Sequence, residues 1–167
     1  MSAKTIYDTA PLGATITYSD GAPQPPVRFT KKLAVWKRSN GAGRLVRKTP
    51  PVMRGSFSAR AAITLHEGDI TSGGTLLVVV HCTHDVDSAL HFEIAGMPKE
   101  GSWRVVQPYG ETVELLHLAE TRAAAETWAK SNPYSGARIE SVDSAGPELA
   151  SAGPAATPLA TSARETV

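Results

Sequence analysis

The sequence predicts an α+β fold in which an antiparallel sheet of about five to eight short strands is followed by one C-terminal helix and a disordered tail. Three observations carry this. Short runs rich in β-branched and aromatic residues recur between Gly, Pro, Asn and Asp turn signals up to about residue 118. Only Glu120 to Lys130 is Ala-rich with helically spaced apolar groups. From Asp143 onward the chain is almost entirely Ala, Ser, Thr, Gly and Pro, too poor in large apolar groups to offset the entropy of ordering it. With 167 residues, 41% of them hydrophobic, the chain has the makings of one α+β domain over 1–142 and a tail over 143–167.

Lys4 to Asp8 and Ala14 to Ser19 are short β-favourable runs divided by Pro11-Leu12-Gly13, and Asp20-Gly21 turns the second. Ala22 to Pro26 has three prolines in five positions and is expected to run extended. Phe29 to Arg38 alternates as a strand would. Ser39-Asn40-Gly41-Ala42-Gly43 interrupts it before Arg44 to Lys48 resumes, which predicts a β-hairpin over 28–48. After Pro50-Pro51, four further strands are expected at Ala61–Leu65, Thr75–His84, Ala89–Ala95 and Ser102–Gln107. Leu90, Phe92 and Ile94 mark one face of the third, and the pairing is expected to be an antiparallel meander. Val113 to Leu118 is a strand or a helix entry. The helix that follows, packed by Ala124 and Trp128, ends at Asn132-Pro133, and Ala137 to Val142 returns as a strand.

Charge is distributed unevenly. Between Gly21 and His66 stand ten Lys or Arg residues and no Asp or Glu, leaving seven bases to face all sixteen acids elsewhere. Clustered cations gain most by displacing the counterions of a phosphate backbone, so the block predicts polyanion binding. On the expected hairpin, Lys31, Lys32, Lys37, Arg38, Arg44, Arg47 and Lys48 would contact phosphates while Trp36 stacks on a base. Cations that merely protect a sheet edge account for two or three lysines, not ten without an interspersed acid.

Five histidines and one cysteine complete the reactive groups. If strands 75–84 and 89–95 pair around Asp85-Val86-Asp87-Ser88, Cys82 lies opposite His91 with His84 on the same face, a possible set of three metal ligands. A one-residue slip in register would dissolve it. His66-Glu67-Gly68-Asp69 and Asp85-Val86-Asp87 offer acid/base chemistry, though Asp and Gly are expected there for turn reasons. No Ser sits in a Gly-x-Ser-x-Gly elbow.

The expectation is therefore a non-enzymatic nucleic-acid-binding protein, its partner DNA or RNA, with no cofactor. Two alternatives stand beside it. The basic block would dock on an acidic protein partner or a second copy in a homo-oligomer, or the Cys/His face would belong to a metal-dependent enzyme. A lone cysteine, no signal-peptide pattern and a longest apolar run of only Leu76 to Val80 point to a cytoplasmic protein with no membrane partner.

Overall fold

A computed structural model describes residues 1–142, apart from the Thr75 side chain; the expectation of a disordered tail from Asp143 lies outside the described residues. The elements are α1 (Ala3–Thr9), β1 (Thr15–Ser19), α2 (Thr30–Ser39), β2 (Gly41–Thr49), β3 (Val52–Arg54), β4 (Phe57–Ala59), β5 (Ala62–Ser72), β6 (Thr75–Asp85), β7 (His91–Gly96), β8 (Trp103–Tyr109), β9 (Thr112–Ala119), α3 (Arg122–Ser131) and β10 (Arg138–Ser141). Eight strands form one antiparallel sheet and β3–β4 a separate hairpin. The α+β class and the helix after the last long strand are as the sequence predicts; two helices are added.

The first addition is α1, where Lys4 to Asp8 suggests a strand. Local signals for a helix were present. The Ser2 hydroxyl accepts from Thr5 N at 3.2 Å as N-cap, and Ala3, Ile6 and Ala10 repeat at helical spacing and are all buried. Pro11 then ends the element, since a residue before proline avoids the α region. With this face α1 closes a core of Ile16, Tyr18, Leu45, Ile63, Leu65 and Phe92, and Leu90 and Ile94 pack on its margin. Each buried aliphatic of this kind is worth about 1.5–3 kcal/mol over an exposed one.

β2 is the hinge of the sheet. One edge pairs with β1 over Gly41–Arg44 and touches β9 at Arg47↔Glu114; the other pairs with β5 from Arg44↔His66 to Thr49↔Ala62. Val46 faces away from α1 into a second cluster with Val106 and Leu115. A third cluster, Val105, Ala119 and Ala125, seats α3, with Trp128 packed against it. The residue facing the sheet is thus Ala125, one position beyond the expected Ala124, which is exposed.

The expected meander is overturned on both sides of β7, which pairs with neither β6 nor β8. β6 pairs with β5, and β7 crosses to pair with β1, so the two strands flanking Val86 to Leu90 are not partners. A short connection favours a hairpin locally, but Phe92 reaches the α1 core only by lying beside Tyr18 of β1.

Candidate polyanion-binding surface

The β-hairpin predicted over 28–48 is instead a helix followed by a strand. Phe29, Leu33 and Trp36 recur at i, i+4 and i+7, and this spacing prevails over the apparent alternation. Lys37 and Arg38 in the last turn complement the helix dipole. Asn40 closes α2, its Nδ2 donating to Trp36 O and to Asp20 Oδ1, both at 2.9 Å, while the Ser19 hydroxyl donates to its Oδ1 at 2.6 Å. These bonds clasp the two ends of the 20–40 excursion together. Of the loop expected over Ser39–Gly43, Ser39 therefore ends α2, Asn40 caps it, and Gly41 to Gly43 are strand. A Cβ at Gly41 would stand 2.6 Å from the Tyr18 hydroxyl and one at Gly43 2.9 Å from the His66 carbonyl oxygen, so glycine is needed there for packing rather than for holding an anion.

The helix buries none of its residues. Lys31, Lys32, Lys37 and Arg38 are exposed, and none has a carboxylate within ion-pair distance among the described residues. Trp36 is half-buried, with Nε1 donating to Ala22 O at 2.8 Å, so its ring is held in place. Beside it lies a depression of about 400 Å³ bounded by Asp20, Ala22, Lys31, Lys32, Val35 and Trp36. Asp20 is the acid in this rim, held below the usual carboxylate range by the Ala22 N–H and the Asn40 amide.

Arg44, Arg47 and Lys48 do not join this surface as a continuous strip. Arg47 is drawn inward, donating to Glu114 at 3.1 Å and Thr64 at 3.4 Å with its guanidinium 3.9 Å from the Tyr109 ring; the two charged side chains are only 16% and 13% exposed. Gln107 donates to the other Glu114 oxygen at 3.2 Å. A pair this enclosed is structural, because removing either partner would leave an uncompensated charge. Lys48 is half-buried near the Tyr7 ring, and burial lowers its pKa against the pull of Asp8. Arg44 is exposed, close enough to His117 of β9 to help lower that group's pKa. Alternation along β2 explains the dispersal, since neighbouring strand residues face opposite ways.

The proposed metal cluster is not assembled. Cys82 Sγ and His84 Nε2 do share a face, 3.4 Å apart, but His91 is carried away on β7 opposite Ser19. Among the described residues no group of three or more His, Cys, Asp and Glu is placed to hold a metal ion. Instead Tyr18, Glu67, Cys82 and His84 come together, Tyr18 donating to Glu67 Oε1 and its ring centroid 4.5 Å from that of His84. Burial raises the Cys82 and Tyr18 pKa values, helped by Glu67, and lowers that of His84. Every shift favours the neutral form, the opposite of an activated thiolate–imidazolium pair. The i, i+2 relation of Cys82 and His84 was visible in sequence; Tyr18 and Glu67 arrive from strands whose pairing was not. His66 bonds Asp69 at 2.9 Å with the His81 ring 5.7 Å away, but the strand end expected at 66–69 is not there: β5 runs on to Ser72, and the Gly68 region is an irregularity in register against β6 instead of a turn.

No helix among the described residues is long and apolar enough to cross a membrane. No curated protein and no solved structure matches the chain. Over residues 1–146 the sequence matches the family described as Uncharacterised conserved protein UCP036055, and the chain belongs to that family.

Proposed function

We propose that this is a non-enzymatic, nucleic-acid-binding protein whose contact surface is α2. The observation that carries the reading is a helix with no buried residue, bearing four cations that have no carboxylate partner among the described residues, beside a depression with an aromatic wall. Lys31 and Arg38 lie on the outward face and Lys32 and Lys37 on its flanks, placing positive charge on both sides of a strand laid along the helix. Trp36 and Val35 supply an apolar surface for one base, with Lys31 and Lys32 at the adjoining phosphates.

Titration of short single- and double-stranded oligonucleotides across a salt series tests it. With four phosphates covered, log affinity falls with log salt at a slope of about −3 to −4. Replacing Lys31, Lys32, Lys37 and Arg38 by Ala flattens the slope, whereas Trp36→Ala loses about 1–3 kcal/mol of binding with the slope nearly kept. Absence of binding at low salt refutes the proposal, and binding that survives the fourfold replacement moves the site elsewhere.

A further inference from the structure

The β5–β6 ribbon outruns the sheet that supports it. The last β5 residue paired with β2 is His66, yet the ribbon continues to Ser72, roughly 20 Å further at the rise of a strand, and turns through Gly73 and Gly74, both at positive φ. From Ile70 to Val80 it holds no charged residue. Ile70, Leu76, Leu77, Val78 and Val79 are each between 44% and 60% exposed. The register shifts at Leu77, where Ile70 lies opposite Val78 and Thr71 opposite Leu76, so Leu76 and Val79 share one face and Ile70 and Val78 the other. Among the described residues β6 pairs with β5 alone, so its outer edge presents unpaired backbone N–H and C=O groups. Monomeric proteins blunt such edges with lysine, proline, inward charge or β-bulges; this edge has a bulge at Leu77 but no lysine, proline or charge from Thr75 to Val80.

We propose that this arm is a self-association surface, in which the β6 edges of two copies pair antiparallel across a two-fold axis and continue the ribbon from one copy to the other. An occupant must satisfy an open backbone edge and cover aliphatic side chains without meeting a charge. A second, identical strand does both, since an antiparallel edge related by a two-fold axis is complementary to itself. A lipid surface does neither well. The arm would lead with its polar turn, Ser72-Gly73-Gly74-Thr75, and carry its open edges into a medium that cannot hydrogen-bond them. The proposal is independent of the nucleic-acid reading. It places the two copies of α2 near each other, because β5 leaves the sheet past the β2 end that α2 enters.

Sedimentation velocity on the full chain without oligonucleotide, over a concentration series, is the test. A concentration-dependent dimer is expected, with amides of residues 76–80 gaining hydrogen-exchange protection as concentration rises. Leu77→Glu/Val79→Glu and Leu76→Lys/Val78→Lys replace exposed side chains, so both variants should keep the wild-type circular dichroism and melting temperature while the dimer constant weakens by at least about tenfold. A wild-type chain that stays monomeric to its solubility limit overturns the proposal, as does a dimer indifferent to both variants. Flotation with neutral and anionic vesicles completes the set: wild-type binding abolished by Leu77→Glu/Val79→Glu, with no dimer, would assign the arm to a lipid surface instead.

Discussion

α2 and α3 are built to one plan and behave in opposite ways. Each has ten residues with a Trp at the seventh, and each ends at an Asn whose Nδ2 donates to that Trp's carbonyl at 2.9 Å. α3 buries a residue against the sheet, and α2 buries none. The difference is in the remaining positions. Alanines at 125 and 129 let α3 approach β8 and β9 closely enough for Trp128 to stack on His117, ring centroids 4.8 Å apart and planes 2° from parallel. In α2 the first turn holds Lys31 and Lys32 and the last Lys37 and Arg38, whose charged ends must remain in water. Thr121 caps α3 through Ala124 N, and Arg122 bonds Glu126; α2 has no side-chain N-cap and no acid. A tryptophan and an asparagine cap thus end a helix in the same way wherever it lies, while small residues decide whether it docks.

The sharpest way to break this contrast is to give α3 the character of α2. Ala125→Lys would force a charge into the cluster with Val105 and Ala119, and urea unfolding should show a loss of about 4 kcal/mol or more. Trp128→Ala follows at about 2–3 kcal/mol, below the range for fully buried aromatics because the ring is half-exposed. A neutral result there would dissociate α3 docking from its tryptophan.

Acid should next separate the two helices. Burial lowers the pKa values of His81, His84 and His117 in the folded chain, so the unfolded chain takes up protons first, near pH 6.5. Stability is full above that pH and declines below it until the folded histidines also protonate. Melting temperature should fall from pH 7 to 5, and His117→Phe, which keeps a ring against Trp128, should reduce the fall. The α2 variants come last. Trp36→Ala should cost under about 1 kcal/mol, and the fourfold alanine replacement should stay within about 0.5 kcal/mol of wild type. A large loss from either would show that α2 supports the sheet after all.

These helices also mark the boundary of what the sequence disclosed. β1, the second half of β2, the first part of β5, and β6, β7, β8 and β10 are legible because their apolar residues recur between turn signals, and Phe92 with Leu90 and Ile94 belongs to a core face as expected; β9 reads equally as strand or helix entry, and β5 beyond Leu65 is missed. α1 and α2 were mistaken for strands because Ile, Tyr, Val and Trp favour both periods in short runs. Only the Ser2 cap and the 29, 33, 36 spacing separated the two. Partnership was less legible still. Whether Cys82 meets His91 or Tyr18 depends on which strands pair, and that follows from packing summed over the whole sheet, beyond the reach of local pattern. For the same reason the charge count foretold a basic region without revealing that Arg47 is spent on Glu114.

The clasp of Ser19, Asp20 and Asn40 makes the segment between them an interchangeable cassette. β1 and β2 pair directly from Tyr18↔Gly41 onward, so the sheet is complete on both sides of the junction whatever chain is strung between. Lengthening such a connection adds only a fraction of a kcal/mol in closure entropy for each doubling. The helix, and with it the charge it presents, can therefore be exchanged while the scaffold is kept.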